Sequence, residues 1–273
     1  MANTEHENPS ENDQKIEVRI AQTQAEVIEA QKIRYQVFYE EQGAHAPEQV
    51  KKEQRDFDAF DNITDHLIAI KHSDNNEQKI VGTYRLLRQE IAQKHGRFYS
   101  DDEYNLEQLL KNDINLLELG RSCVLQPYRT KPILNTLWKE IVNYVTEHKI
   151  DLMFGCASFQ GTDINAISQQ LSYLHHFHAV DNHLKPIALQ ERYINMNIIE
   201  KSNIDERKVF SSLPPLIKGY LRAGAKIGDG AVIDHQFNTI DVCIIVQVKD
   251  ITRRYLKHYE RKIQKTINKQ SEN

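Results

Sequence analysis

A strand, a turn, a helix and a second strand follow one another directly between residues 116 and 157, and this unit constrains the fold most. Leu116–Leu125 is an apolar strand candidate, and Gln126–Thr130 interrupts it. Pro132–His148 carries apolar residues on one helical face, with proline near the start, where a missing N–H costs little. Ile150–Ala157 then has the pattern of a buried strand. Such a unit is a right-handed crossover between parallel neighbours, so the sequence predicts an α/β protein with a mixed sheet.

Further elements surround this unit. Hydrophobic spacing predicts helices and strands on both sides of it, and a charged, aliphatic-poor stretch predicts a long loop over Gln42–Asn62. The predicted elements are helices over Ala25–Tyr39, Asn165–Phe177 and Leu216–Ala223, a hairpin of His66–Ile70 with Lys79–Leu87, and a late strand over Val242–Val248. We predict a single domain over residues 16–268, with disordered tails at 1–15 and 269–273.

Composition excludes several classes of protein. Among 273 residues, 40% are hydrophobic and the net charge is −4, which are globular proportions without a general nucleic-acid footprint. No apolar run approaches the ~20 residues of a membrane span, and the polar start lacks the core of a signal peptide. Cys123, Cys156 and Cys243 lack metal or disulfide spacing. We therefore expect a cytoplasmic protein without a metal site.

Charged residues interrupt the apolar strand at Glu118 and Arg121. Regular alternation would place these two side chains on opposite faces of the sheet. Burying such charges is costly unless they are paired, so they are either a structural ion pair or part of a site.

Three other segments carry candidate binding groups. Arg55–Asp61 combines three carboxylates with aromatics, which suits either a cationic ligand or a solvated loop. Arg85 and Arg88 end a strand, where a guanidinium suits a substrate carboxylate and a surface cation pair is the alternative. Tyr128–Pro132 enters a helix, whose free N–H groups favour phosphate oxygens.

The C-terminal segment is basic. Lys249–Lys269 contains eight Lys or Arg against two Asp or Glu, and Asp250–Ile267 has the pattern of an amphipathic helix. This segment suits an acidic partner, an anionic membrane surface reached by peripheral association, or simply a solvated helix.

Motifs along nearly the whole chain, from about Val18 to Tyr259, resemble those of the bacterial L-ornithine Nα-acyltransferases. They are Arg55-Asp-Phe-Asp, Val81-Gly-Thr-Tyr-Arg-Leu-Leu-Arg, Glu118-Leu-Gly-Arg-Ser-Cys-Val, Tyr128-Arg129-Thr130, Phe154-Gly-Cys-Ala-Ser-Phe, Leu213-Pro-Pro-Leu-Ile-Lys-Gly-Tyr-Leu-Arg and Gly228-Asp-Gly-Ala-Val-Ile-Asp. The resemblance implies a GNAT-like acyltransferase fold, a central mixed twisted sheet flanked by helices, similar also to the acyl-homoserine-lactone synthases. It implies transfer of a 3-hydroxyacyl group from acyl carrier protein to the α-amine of L-ornithine, the first step of ornithine lipid biosynthesis. The product would be lyso-ornithine lipid. No tightly bound cofactor is implied, since phosphopantetheine arrives on the carrier protein.

The resemblance also implies roles for individual residues. Similarity to the synthases implies substrate binding by Arg34, Phe38, Asp58, Asp61, Arg85 and Arg121. Glu118 is predicted to take the amine proton as general base. Tyr220 lies four residues before Gly224, a spacing similar to that of the GNAT tyrosine that protonates the leaving thiolate, or else it packs a helix.

The donor site departs from ordinary GNAT enzymes. The segment Tyr128–Lys131 replaces the Gly-rich loop that binds coenzyme A, which fits a carrier-protein thioester better. The residues predicted to contact the carrier or its pantetheine are Arg129, Thr130, Lys131, Arg253 and Arg254. Two alternatives stay open at this point: a synthase or N-acyltransferase with another amino-acid acceptor, and a non-catalytic module that binds acyl carriers.

Overall fold

The computed structural model describes residues 16–73 and 77–251. Its strands are β1 Ile16–Ile20, β2 Asp65–His72, β3 Gln78–Arg88, β4 Tyr104–Asn105, β5 Leu116–Val124, β6 Leu152–Gln160, β7 Ile187–Ala188, β8 Lys226–Asp234 and β9 Thr239–Gln247. Its α-helices are α1 Gln24–Tyr35, α2 Glu48–Glu53, α3 Gln89–His95, α4 Glu107–Leu110, α5 Lys131–Glu147, α6 Ser168–His178, α7 Glu206–Ser212 and α8 Pro215–Ala223.

One mixed sheet joins all these strands in the order β1-β2-β3-β5-β6-β9-β8-β7-β4. The pairs β5–β6 and β7–β8 are parallel, and the other neighbours are antiparallel. Helix α5 connects β5 to β6, which confirms the crossover predicted from the sequence. One face of the sheet buries Leu137 of α5 and Ile217 of α8, and the opposite face buries Ile33 of α1 and Phe98. Helices therefore cover both faces, as predicted.

The parallel strands β5 and β6 separate soon after they begin. They pair only over Leu116–Glu118 with Leu152–Phe154, and β6 then continues with β9 alone. Gly155 lies where they part, so close to β5 that a Cβ would overlap the carbonyl oxygen of Leu119. Only glycine permits this approach. The separation leaves one edge of the second half of β5 without a pairing strand.

A bulge in β5 changes which side chains share a face. Arg121 has a φ of 49°, in the left-handed region that few residues other than glycine adopt. The register passes from Arg85 opposite Gly120 to Thr83 opposite Cys123, so β5 has one extra residue. Such a bulge reverses the alternation beyond it. Glu118 and Arg121 consequently lie on the same face, and the prediction of opposite faces is wrong.

One further prediction differs from the structure, and others concern residues that the structure does not describe. The segment Gln42–Asn62 is not a continuous loop, because it contains α2 and a 3₁₀ turn at Ala59–Asn62. Helix α2 buries only Val50, so its sequence has no amphipathic pattern that could have revealed it. The tails predicted at 1–15 and 269–273 lie outside the described residues, as does the basic segment beyond Ile251 with Arg253 and Arg254.

Candidate active site

Three arginines and three aspartates form a buried ion network beside the bulge. Its innermost member is Arg34 of α1, which has no exposed surface. The Arg34 guanidinium donates to Asp56 at 2.8 Å and to Asp61 at 2.9 Å. We call this set the ion network; its members are Arg34, Asp56, Asp58, Asp61, Arg85 and Arg121.

The outer part of the ion network centres on Asp58, which contacts Arg85 of β3 and Arg121 of β5. Arg85 pairs with Asp58 at 2.7 Å, and Arg121 reaches Asp58 at 3.2 Å and Asp56 at 3.1 Å. Burial acts to raise the pKa of Asp58, but the two guanidinium groups outweigh it and lower that pKa. The carboxylate of Asp58 is therefore ionised and a weak proton acceptor.

These contacts favour a structural role for three of the residues predicted to bind substrate, whose substrate contacts stay predictions. Arg34, Arg85 and Asp61 are buried and paired inside the ion network, so they hold its shape and do not offer a free charge to a ligand. Asp58 and Arg121 remain accessible, with 26% and 11% of their side-chain surfaces exposed.

Aromatic rings hold the Arg121 guanidinium in place. The rings of Tyr99 and Phe237 lie 4.6 and 4.7 Å from its central carbon, and the Tyr99 hydroxyl accepts a hydrogen bond from it at 3.0 Å. Phe38, in the π-helix Gln36–Glu41, packs edge-on against Phe237 at 5.7 Å. Phe38 thus supports the ring that orients Arg121. The sequence reasoning missed Tyr99 and Phe237 because both come from segments without a recognisable motif.

Glu118 is buried beneath the turn Tyr99–Asp102. Its Oε2 accepts the backbone N–H of Tyr99 at 2.8 Å, and its Oε1 accepts the N–H and hydroxyl of Ser100 at 2.7 and 2.5 Å. Burial raises the pKa of Glu118, which suits a proton acceptor. Both oxygens already accept hydrogen bonds from this turn, which favours a positioning role, and the general-base role of Glu118 stays a prediction.

Helix α5 begins beside the separation of β5 and β6 with exposed polar residues. Arg129 donates to the carbonyl of Val124 at 2.8 Å and pairs with Glu41, so this predicted carrier contact already has partners. Thr130 is the N-cap residue, yet its side chain makes no capping bond. Thr130 and Lys131 are exposed, and they remain available to a phosphate group.

Tyr220 lies in α8 and is buried against the same region of β5. Its hydroxyl is hydrogen-bonded to Tyr84 of β3, which is in turn hydrogen-bonded to Ser122. Burial raises the pKa of Tyr220 well above its usual value. The ring also packs edge-on against Trp138 at 5.2 Å. Tyr220 therefore combines the predicted packing role with a protonated hydroxyl near the separated strands.

A cleft of about 680 Å³ opens next to Tyr99, and the sequence reasoning did not identify it. Glu103 and Asp234 line it, and their carboxylate oxygens come within 4.8 Å of one another and of Asp241. The signal that could have found this site is Asp241, a charged residue directly before the apolar run Val242–Val248.

Comparisons with known proteins agree with this architecture. Residues 33–139 match the family described as Acetyltransferase (GNAT) domain, which confirms the predicted fold class. The L-ornithine N(alpha)-acyltransferase of Agrobacterium fabrum is 42% identical over 248 residues, covering 89% of this chain and 85% of that protein. The protein of the same name from Brucella abortus is 45% identical, covering 89% of this chain and 88% of that protein.

Among solved structures, an N-acyl amino acid synthase from uncultured soil microbes superimposes with a TM-score of 0.47 at 14% identity. The match covers 86% of this chain and 92% of that chain. Within residues 16–73 and 77–251, no helix has the length and apolar character needed to cross a bilayer.

Proposed function

Because this chain belongs to the family of L-ornithine Nα-acyltransferases, we propose that it joins an acyl group to the α-amine of L-ornithine through an amide bond. The observation that carries the proposal is 42–45% identity over nearly the full length of two enzymes of that name. The separated strands β5 and β6 beside the ion network support it, since they leave an open strand edge where a thioester can lie.

The proposed donor is a 3-hydroxyacyl group on the phosphopantetheine of acyl carrier protein. Phosphopantetheine carries a phosphate and two amides. The uncapped start of α5, with Thr130 and Lys131 exposed, suits the phosphate, and the free edge of β5 suits the amides. The basic segment Lys249–Lys269 suits the acidic surface of a carrier protein or, for a lipid product, an anionic membrane.

The proposed reaction needs a neutral amine and an activated carbonyl. The α-nitrogen of ornithine attacks the thioester carbon, a C–N bond forms, and the C–S bond breaks as the tetrahedral intermediate collapses. Backbone N–H groups on the free edge of β5 suit stabilisation of its oxyanion. The nitrogen gives one proton to a water molecule, the leaving thiolate takes one from the Tyr220 hydroxyl, and the buried Tyr220 phenolate then regains a proton from solvent, so that the thiol and the amide are both neutral. Holding both reactants between the strands supplies much of the acceleration.

Lipid analysis tests this function in cells. A host that makes no ornithine lipid, when it expresses this chain, should accumulate a ninhydrin-positive lyso-lipid whose fragmentation gives 3-hydroxyacyl-ornithine. Arg121→Ala serves as the site variant, and Lys111→Ala, an exposed helix residue, serves as the matched control. Acyl-homoserine lactone as the new product, or no new amide from folded protein, would contradict the proposal.

A further inference from the structure

Three carboxylates from distant parts of the chain converge at the cleft beside Tyr99. Glu103 directly follows the turn Tyr99–Asp102, Asp234 ends β8, and Asp241 lies in β9 opposite Ser158 of β6. Their carboxylate oxygens lie within 4.8 Å of one another. We call Glu103, Asp234 and Asp241 the acidic trio.

In the acidic trio, unlike in the ion network, the carboxylates outnumber the guanidinium groups that neutralise their charge. Asp241 is 93% buried, and its Oδ1 atom accepts no hydrogen bond from any residue that the structure describes. The nearest described cation is Arg192, 3.6 Å from Glu103, and its guanidinium also donates to the backbone carbonyls of Asp102 and Ile233. Three carboxylates thus face one guanidinium, whereas the ion network has three of each. An unpartnered buried carboxylate oxygen is costly unless a ligand satisfies it.

The pKa values of the trio's carboxyl groups are consistent with this shortage of neighbouring positive charge. Burial, together with the Asp241 carboxylate, raises the pKa of Glu103 to about 7. Burial also raises the pKa of Asp241 to about 6, with the Asp234 charge adding to it. Arg192 and the Cys156 thiol also face the trio, and the thiol donates to Glu103 at 3.1 Å. The Ser158 and Thr239 side chains beside Asp241 act to lower its pKa, but burial outweighs them.

The trio adjoins the place where the reaction is proposed to occur. Cys156 immediately follows Gly155, where β5 and β6 part, so Glu103 contacts β6 just beyond the separation. Tyr99 lines the same cleft and accepts a hydrogen bond from Arg121. Tyr99 therefore connects the cleft of the acidic trio to Arg121, at the accessible end of the ion network.

We propose that the acidic trio binds the δ-ammonium group of the acceptor, and so directs acylation to its α-amine. This inference rests on the proposed function. An ammonium has three N–H donors that suit three carboxylate oxygens. A protonated nitrogen has no free electron pair, so holding the δ-nitrogen as ammonium prevents its attack on the thioester. The acceptor class is accordingly an α-amino acid with a cationic side chain.

A divalent cation is the rival ligand for three carboxylates. Arg192 beside Glu103 already supplies a positive charge that would repel a dication more than an ammonium. Magnesium also demands near-octahedral oxygen ligation, and the trio offers a compact group of carboxylates on one side of an open cleft. These observations favour the ammonium, and a metal titration is part of the test.

The test compares two acceptors on two variants. 2-Aminopentanoic acid has the carbon chain of ornithine without the δ-amine. For the wild type, we expect a KM for ornithine well below that for 2-aminopentanoic acid. Asp241→Asn should raise the KM for ornithine about 10- to 100-fold, the scale of a lost charged hydrogen bond, and leave that for 2-aminopentanoic acid unchanged. Asp113→Asn, the same change at an exposed surface acid, should alter neither value.

Stability and direct binding separate this role from a structural one. Asp241→Asn removes a buried unpaired charge, so its Tm should stay equal or rise while ornithine binding measured by calorimetry weakens. Equal KM changes for both acceptors, or a lower Tm with unchanged ornithine binding, would overturn the inference. So would tight binding of Mg²⁺ or Mn²⁺ to the wild type that Asp241→Asn abolishes. Ornithine binding without acylation would instead count against the proposed function alone.

Discussion

Replacing Glu118 by glutamine distinguishes a positioning residue from a general base. The carboxylate accepts three hydrogen bonds, from the N–H of Tyr99 at 2.8 Å and the N–H and hydroxyl of Ser100 at 2.7 and 2.5 Å. Glutamine has the same shape but only one acceptor oxygen, so its NH₂ group faces at least one buried N–H. An unsatisfied buried donor costs about 1–3 kcal/mol, and hydrogen bonds to a charge contribute about 1.5–3 kcal/mol each.

We therefore expect Glu118→Gln to destabilise the protein by about 2–4 kcal/mol, a figure below the sum because the glutamine oxygen can keep both bonds from Ser100. For a chain of this size, that lowers Tm by about 5–10 °C in a thermal melt. The turn it supports carries Tyr99 and Glu103, so the KM for ornithine should rise as well. The pH profile of kcat should keep its shape. Glu107→Gln, at an exposed helix position, is the control and should leave Tm and KM unchanged.

A different outcome would refute this reasoning and restore the role predicted from the sequence. If Glu118→Gln keeps the wild-type Tm, loses kcat by about 10²-fold or more and loses the acidic limb of its pH profile, then Glu118 is the general base. That result would require the turn Tyr99–Asp102 to open and admit the amine.

Four further outcomes are expected. Arg34→Met removes the buried guanidinium that contacts both Asp56 and Asp61 and should cost about 3–5 kcal/mol, read as a lower urea midpoint, and unchanged stability would contradict the ion network. The KM for ornithine should fall as pH rises from 5.5 to 8, because Asp241 and Glu103, with pKa values of about 6 and about 7, lose their protons over that range, and Glu103→Gln should remove the part of the fall near pH 7. Tyr220→Phe keeps the contact with the neighbouring indole and should lower kcat about 10²-fold with little change in Tm; unchanged kcat would leave it a packing residue. Arg253→Glu with Arg254→Glu should raise the KM for acyl carrier protein and reduce its salt dependence, with kcat retained, whereas lower binding to anionic liposomes alone would indicate a membrane role.

The regular elements of the fold could be predicted because their signals are local. The apolar face of α5 and the runs of β5 and β6 predicted the crossover and the parallel pair, and the structure confirms both. The bulge at Arg121 could not be predicted from alternation, because its left-handed backbone depends on contacts with Tyr99 and the ion network. One extra residue then placed Glu118 and Arg121 on the same face.

The sequence identified most members of the ion network as candidates but could not show how they pair. The ion network contains five of the six residues predicted to bind substrate, and it lies beside the sixth, Phe38. Sequence could not show that Arg34 and Arg85 pair with carboxylates inside the network, since pairing depends on burial and on geometry between distant segments. The sequence could not show that the members of the acidic trio lie close together, because they are separated by as many as 138 positions in the chain.

Acyl transfer by the purified protein tests the central claim most directly. The protein would be incubated with a 3-hydroxyacyl thioester of acyl carrier protein and L-ornithine, and the product identified by tandem mass spectrometry against synthetic Nα- and Nδ-acyl standards. The matching coenzyme A thioester and S-adenosylmethionine would serve as alternative donor and acceptor. We predict one product, Nα-(3-hydroxyacyl)-ornithine, formed faster from the carrier thioester. Acylation of the δ-nitrogen, or of S-adenosylmethionine in preference to ornithine, would contradict the account.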